Sequence, residues 1–134
     1  MKRKRITKRD RRMIDLAIRQ AFSSEFPTFR HGAVLARGSS VLNVGVNKAQ
    51  YTSFGARFRR DHPNFATIHA EIACILGVER KKTEGATVYV ARINNLGEEM
   101  YSKPCSMCQQ AMRFVGVRRV VYTIGEGKLG ELKL

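Results

Sequence analysis

Apolar residues recur at helical spacing near the start of the chain. The apolar side of this segment consists of Met13, Ile14, Ala17, Ile18, Ala21 and Phe22. Thr7 precedes the pattern and can cap a helix, whereas Pro27 and Gly32 interrupt the chain after it. The pattern therefore predicts an amphipathic helix from Thr7 to about Phe22.

Several shorter stretches have the composition of β-strands. Residues 33–47, AVLARGSSVLNVGVN, predict two strands joined by the turn RGSS. Residues 86–93, ATVYVARI, and residues 118–124, RRVVYTI, are rich in β-branched side chains and predict one strand each. The turn NNLG separates the third strand from residues 98–102, EEMYS, which we expect to return as an arm. The tail beyond Thr123 leaves room for at most a short fifth strand.

Two further helices are predicted between the strands. The first is capped by Thr67 and runs to about Arg80, with an apolar side formed by Ile68, Ile72, Ile75 and Leu76. The second opens at Pro104, runs through Val115 and is ended by Gly116. The order α-β-β-α-β-α-β predicts a mixed sheet of four to five strands with helices on both faces, which is a three-layer α/β/α sandwich.

Length and composition favour one compact domain over residues 1–134, with a basic arm at residues 1–12. No apolar run is long enough to cross a bilayer, and the charged start is not followed by the apolar segment of a secretory signal. Three cysteines, two of them in C-x-x-C spacing, favour a metal or redox site over a disulfide framework. We therefore expect a cytoplasmic protein without a membrane partner.

Basic residues dominate the charge of the chain. Lysine and arginine total 25 against 11 acidic residues, which gives a net charge of +14. Half of this excess lies in residues 1–12, which hold eight basic side chains and one aspartate. Such an excess attracts polyanions, so single-stranded nucleic acid is one candidate partner. A solvated basic arm explains the same composition, and both interpretations stay open.

Residues able to bind a metal lie in two segments, TIHAEIACILG and YSKPCSMCQQAM. Cys105 and Cys108 are three positions apart at a predicted helix start, so their thiols project to the same side. The amides at that helix end lower the pKa of a thiol and favour metal binding. His69 also lies at a predicted helix start, two positions before Glu71. A lone C-x-x-C is a weak signal, but the two segments together make one shared metal site a candidate.

The number of ligands separates a structural zinc from a catalytic one. A structural zinc is closed by four protein ligands, whereas a catalytic zinc keeps one position for water. The candidates for a fourth ligand are His31, His62 and Cys74. Cys74 follows His69 by five positions, about 140° around the helix, and is expected in the core. Neither histidine has the spacing of a ligand pair, so three protein ligands and an open position are favoured.

Glu71 admits two interpretations. An acidic residue in the first turn of a helix is stabilised by the helix dipole alone. Beside a zinc-activated water, the same carboxylate can act first as a base and then as an acid. The presence of the candidate metal ligands His69, Cys105 and Cys108 favours the second interpretation.

The sequence resembles the cytidine/deoxycytidylate deaminase superfamily. The likeness is to the branch with one histidine and two cysteine ligands, which includes deoxycytidylate deaminases and tRNA adenosine deaminases. It spans about residues 7–124 and rests on GAVLA, NVGVN, HAE, GATVYV and PCSMC. The combination H-x-E with P-C-x-x-C is the signature of zinc deaminases. The resemblance implies a cytidine deaminase-like sandwich fold.

The resemblance also implies roles for individual residues. The zinc ligands it implies are His69, Cys105 and Cys108. Glu71 would transfer protons, Asn47 would contact the sugar, and the backbone of Ala70 would touch the base. The insertion RINNLGEEMYSK and Lys103, which stands where serine or glutamate is common, depart from the family pattern.

The implied activity is that of a zinc-dependent hydrolase in pyrimidine nucleotide metabolism. The substrate would be a cytosine nucleoside or nucleotide of the deoxycytidine or dCMP type, and the products would be the uracil compound and ammonia. One alternative is deamination of cytosine or adenine within single-stranded nucleic acid or tRNA. Another is a non-catalytic, zinc-stabilised module that binds nucleic acid.

Two segments are expected to flank the substrate pocket. Residues 48–66 contribute the arginine and phenylalanine side chains Phe54, Arg57, Phe58, Arg59, Arg60 and Phe65. Residues 94–103 contribute Tyr101 and Lys103. The arginines suit either a 5′-phosphate or a nucleic-acid backbone. The apolar helix faces also allow a homo-oligomer.

Overall fold

The structure, a computed structural model, describes residues 6–48 and 68–134. The helices in these ranges are α1 (Lys8–Ala21), α2 (Ala70–Ile75), α3 (Arg80–Thr83) and α4 (Ser106–Phe114). The strands are β1 (Arg30–Arg37), β2 (Ser40–Val46), β3 (Thr87–Ile93), β4 (Glu99–Met100), β5 (Arg119–Gly125) and β6 (Lys128–Lys133). None of these helices has the length and apolarity that a membrane crossing requires.

The strands form one mixed sheet in the order β2-β1-β3-β5-β6. β3 and β5 are parallel, whereas β1 pairs antiparallel with both β2 and β3, and β6 pairs antiparallel with β5. β4 adds a short antiparallel pairing at the end of β3, where Arg92 faces Met100 and Ile93 faces Glu99. The predicted mixed sheet and the predicted return of residues 98–102 are therefore confirmed, but the described residues form six strands where four to five were predicted.

Two hydrophobic cores cover the two faces of this sheet. The strand residues facing α2 and α4 are Ala33, Leu35, Val88, Val90 and Val120. The strand residues facing α1 are Val34, Ala36, Tyr89, Ala91 and Val121. Successive residues alternate between the cores, as strand geometry requires, and burial on both faces explains the continuous apolar runs. The three-layer α/β/α architecture is confirmed.

The first helix follows its local signals. The Thr7 hydroxyl accepts a hydrogen bond from the Asp10 amide at 3.1 Å, and the Asp10 carboxylate accepts one from the Thr7 amide at 3.0 Å. This capping box satisfies two amides that a helix start otherwise leaves unpaired. The predicted helix from Thr7 to about Phe22 is confirmed.

The predicted helix from Thr67 to Arg80 is wrong in its extent. Thr67 lies outside the described residues, and Ile68 forms an isolated bridge with Lys48. The helix begins at Ala70 and ends at Ile75, because Leu76 is extended and Gly77 has a φ of +79°. α3 follows as a separate short turn. Similarly, Pro104 precedes α4 rather than opening it, since Cys105 is the N-cap.

The tail forms more structure than its sequence predicted. β6 is a six-residue strand that pairs along β5 from Arg119 with Lys133 to Gly125 with Lys128. The chain reverses through Glu126 and Gly127, both at positive φ. Likewise, β1 begins at Arg30, three residues before the predicted start. In both cases the extra residues are stabilised by pairing with a neighbouring strand.

Glycine allows α2 to approach the sheet closely. A Cβ atom at Gly45 of β2 would lie 2.6 Å from the Cys74 amide nitrogen and 2.8 Å from the Ala70 carbonyl oxygen. Any larger residue at this position would push the helix away from the strand. The position of the helix start, and hence of His69, thus depends on Gly45.

Candidate metal centre and active site

Three metal-binding side chains meet near the end of β3. His69 is the N-cap of α2, Cys105 is the N-cap of α4, and Cys108 lies in the first turn of α4. Their ligand atoms all lie within 4.8 Å of one another. The His69 Nδ1 atom is 3.2 Å from the Cys108 Sγ atom and 3.8 Å from the Cys105 Sγ atom. The fold thus brings together the three predicted ligands.

The geometry of this cluster fits a tetrahedral zinc ion. Typical Zn–S and Zn–N bond lengths at the tetrahedral angle separate sulfur from nitrogen by about 3.6 Å. The two measured separations, 3.2 and 3.8 Å, lie on either side of this value. Among the described residues the cluster has three members, which is the number typical of a catalytic zinc.

A hydrogen bond couples the two thiols of the cluster. A hydrogen bond from Cys108 is the main cause that lowers the pKa of Cys105 to about 4; burial opposes it and His69 adds to it. The same hydrogen bond, followed by burial, raises the pKa of Cys108. The pair therefore titrates as a unit and readily supplies one thiolate, the form that binds metals, at neutral pH.

Glu71 lies in the first turn of α2 with only 4% of its surface exposed. Burial raises the pKa of its carboxyl group, while His69 and a hydrogen bond with Cys108 act in the opposite direction. A buried carboxyl group with a raised pKa can hold a proton nearer neutral pH than an ordinary glutamate can.

The cluster borders a cavity of about 510 Å³. His69, Glu71 and Cys105 lie on its wall, together with the aromatic side chains of Phe26 and Phe29. The other lining residues are His31, Asn47, Ser102 and Lys103. Apolar walls with a few convergent polar groups are typical of sites for small, flat ligands.

Asn47 organises one wall of the cavity. Its Oδ1 atom accepts hydrogen bonds from the Ser24 hydroxyl at 2.6 Å and from the His31 amide at 3.0 Å. Its Nδ2 atom donates to the Phe29 carbonyl at 2.6 Å. Within the described residues, these contacts use one of the two amide N–H groups. Ser24 was not predicted, because nothing local marks a serine whose partner is 23 positions away.

Of the candidates for a fourth ligand, the two that the structure describes, His31 and Cys74, lie outside the three-residue cluster. His31 lines the cavity outside the three-residue cluster, and burial, followed by the charge of Arg92, lowers its pKa to about 4. Cys74 is fully buried in the core beneath α2, as predicted, and its thiol donates to the Glu71 carbonyl at 3.2 Å. His62 lies outside the described residues.

A buried serine anchors the chain just before the cysteines. The Ser102 hydroxyl donates to the Val90 carbonyl at 3.0 Å and accepts from the Thr123 amide at 2.9 Å. These bonds join the segment to β3 and β5, so they position Lys103 and Cys105 at the cavity. This role of Ser102 was not predicted, because only the folded sheet brings Ser102 to Thr123.

The remaining predicted contacts have mixed outcomes. Ala70 is the first residue of α2 and its side chain is fully buried, so its contact with a base stays a prediction about its backbone. Lys103 lines the cavity, and Tyr101 beside it is 55% exposed. Of the other predicted flanking segment, residues 49–66 lie outside the described residues.

Comparisons with solved structures agree with this fold. RibD of Acinetobacter baumannii (form 1) is 21% identical with a TM-score of 0.53; the match covers 86% of this chain but only 28% of that one. The apo dCMP deaminase of the cyanophage S-TIM5 is 19% identical with a TM-score of 0.60, covering 84% and 80% of the two chains. At these identities the likeness shows the fold alone.

Sequence comparison identifies the family. No curated protein matches this chain at a significant level. The family profile described as the cytidine and deoxycytidylate deaminase zinc-binding region, however, matches residues 7–124, well over half of the chain. Together with the His69, Cys105 and Cys108 cluster, this match shows that the chain belongs to the cytidine/deoxycytidylate deaminase superfamily.

Proposed function

We propose that the chain is a zinc-dependent hydrolytic deaminase of a cytosine nucleoside or nucleotide, of the deoxycytidine or dCMP type. It would convert the cytosine to uracil with release of ammonia. The main support for this proposal is the position of Glu71. Its carboxylate is buried, and the residue lines the same cavity as His69 and Cys105.

His69, Cys105 and Cys108 would hold the ion. Bound zinc supplies a Lewis acid that brings the pKa of a coordinated water toward neutrality. The alternative of a non-catalytic zinc module calls for four protein ligands, whereas the described residues contribute three.

Glu71 moves the protons in this proposal. Its carboxylate takes a proton from the attacking water as the water oxygen adds to C4 of the cytosine ring. It passes this proton to ring nitrogen N3, takes the second from the added hydroxyl, and delivers it to the exocyclic amine. The carbon–nitrogen bond then breaks and ammonia leaves. A pKa raised by burial suits this exchange, because a proton-transfer group works best when its pKa lies near the working pH.

The cavity walls support a pyrimidine substrate. Phe26 and Phe29 offer apolar surface to a flat ring, and the remaining Asn47 N–H can donate to a sugar oxygen. Lys103, an exposed cation on the lining, is suited to a 5′-phosphate. The backbone of Ala70 is proposed to contact the base.

A second candidate substrate is a base extruded from single-stranded nucleic acid. Phe29 favours it, because this residue lines the cavity, is 58% exposed, and has the Arg92 guanidinium 4.6 Å from its ring centroid. An exposed ring beside a cation is the arrangement with which proteins stack unpaired bases.

A substrate panel tests the proposal. The zinc-loaded protein is incubated separately with cytidine, deoxycytidine, dCMP, adenosine and oligonucleotides, and released ammonia is measured. We expect release from the free cytosine compounds. Release from oligonucleotides alone would select the second candidate, and release from none would contradict both.

A further inference from the structure

A second cleft lies at the opposite end of the sheet from the metal cluster. Its volume is about 670 Å³, and it opens between the start of α1 and the strand ends marked by Arg37, Thr87 and Lys133. In the pairing of β1 with β3, Thr87 faces Ala36 at this end, whereas Arg92 faces His31, a residue of the candidate cavity, at the other.

Four basic side chains surround this cleft. We call Arg9, Arg37, Arg118 and Lys133 the cationic rim. All four are exposed, and within the described residues none forms an ion pair. Arg37 donates a hydrogen bond to the Lys81 carbonyl at 3.0 Å, which leaves its charge uncompensated.

The acidic side chains of the cleft are already paired with a fifth cation. Arg119 donates to both Asp10 oxygens, at 3.0 and 2.8 Å, and to the Glu131 carboxylate. Leu134 also lines the cleft. The lining thus holds five basic side chains, the four rim residues and Arg119, against the two acidic ones Asp10 and Glu131, so it stays net positive.

We propose that the cationic rim binds the phosphate backbone of single-stranded nucleic acid. Clustering like charges around one cleft destabilises the fold through repulsion, and a bound polyanion relieves that repulsion. The rim cations come from four separate segments, so they suit successive phosphates of a strand better than one phosphate.

This site does not depend on the proposed deaminase activity. A strand held at the rim lies at the amino end of β3, whereas the metal cluster lies near its carboxyl end. The rim would therefore anchor a strand without presenting a base to Glu71. An experiment can therefore contradict binding at the rim without contradicting turnover at the cavity, and the reverse.

The test compares two triple variants that remove the same charge. The rim variant is Arg9→Gln, Arg118→Gln and Lys133→Gln; Arg37 is kept because of its hydrogen bond to Lys81. The control variant is Arg19→Gln, Arg113→Gln and Lys128→Gln, three exposed residues outside the cleft lining. Fluorescence anisotropy measures binding of a labelled oligothymidylate of about 20 nucleotides at several salt concentrations.

We expect the rim variant to bind roughly 50-fold more weakly at about 0.15 M salt, with a salt slope shallower by about 2, the effect of losing three phosphate contacts to a single strand. The control variant should bind nearly as the wild type does. Thermal unfolding at low salt should show the rim variant at least as stable as the wild type, because repulsion has been removed.

Three results would overturn the proposal. One is wild-type binding by the rim variant, and another is an equal loss in the control variant. The third is tighter binding of a duplex of the same length, or of inorganic tripolyphosphate, than of the single strand.

Discussion

The Nδ1 atom of His69 lies 3.2 Å from the Sγ atom of Cys108, although 39 positions separate the two residues in the chain. α2 and α4 pack on the same face of the sheet, and Ile72 and Met107 join the same core. The first turns of the two helices consequently meet, and their polar side chains converge on one point.

Removing one thiol of the cluster should remove the metal and spare the fold. Cys108→Ala leaves two of the three clustered ligands, so zinc content measured by mass spectrometry should fall to near zero. Cys74→Ala is the matched control, because Cys74 is equally buried but lies in the core. Equal zinc loss in both variants would contradict the assignment.

Glu71→Gln should keep zinc and folding but lose activity. The amide preserves the shape of the side chain but cannot exchange protons, which costs about 10²–10⁴-fold in rate for a general acid–base group. Glu79→Gln, on an exposed residue at the start of α3, is the control and should keep full activity. The measurement is ammonia release per zinc-loaded chain, and turnover by Glu71→Gln near the wild-type rate would exclude the proposed role.

Asn47 should affect both stability and substrate binding. Asn47→Ala removes hydrogen bonds to Ser24, His31 and Phe29, so we expect a loss of about 2–3 kcal/mol in the free energy of unfolding. Ser24→Ala breaks the bond to the Asn47 side chain and the one from the Phe26 amide, but it removes no side chain from the cavity lining.

The KM values of these two variants separate positioning from direct contact. If the second Asn47 N–H contacts the sugar, Asn47→Ala raises KM well above the value for Ser24→Ala. Equal KM values, measured at a temperature where both variants remain folded, would contradict the sugar contact.

Asp10 should make stability depend on pH. Burial raises the pKa of this carboxyl group, but hydrogen bonds from Arg119, the Thr7 amide and Tyr89 outweigh burial and lower the pKa overall. A carboxylate with a lowered pKa stabilises the fold fully above the unfolded-state pKa of about 3.9, and that stabilisation is lost as the pH falls below it. Asp10→Asn should therefore cost about 3 kcal/mol near pH 7 and less near pH 3.

Urea unfolding of both proteins at several pH values checks this dependence. Asp15→Asn is the control, because Asp15 forms an exposed pair with Arg11 and should cost at most about 0.5 kcal/mol. A difference between wild type and Asp10→Asn that stays constant down to about pH 3 would contradict the role given to the ionised carboxylate.

Local signals predicted those parts of the fold that local interactions decide. Thr7 caps the first helix through a residue three positions away, and its apolar side repeats with the helical period. The prediction made the second helix too long, because apolar spacing continues through Leu76 while the backbone turns at Gly77. β6 was underestimated, because its stability comes from pairing with β5 rather than from its own composition.

The candidate site shows the same contrast between residues marked by a local pattern and residues whose contacts join distant segments. His69, Glu71, Cys105 and Cys108 were predicted as site residues because their spacing within each segment is a local pattern. The contacts of Ser24 with Asn47 and of Ser102 with Thr123 join distant segments. A serine has no sequence feature that marks such a partner, so these positions emerge only from the packed sheet.

X-ray absorption at the zinc edge shows whether the zinc ion is held by three protein ligands with one position open. We expect two sulfur atoms at about 2.3 Å, one imidazole nitrogen, and one further light atom without the scattering of an imidazole ring. A third sulfur atom, a second imidazole, or no zinc in the protein would contradict it.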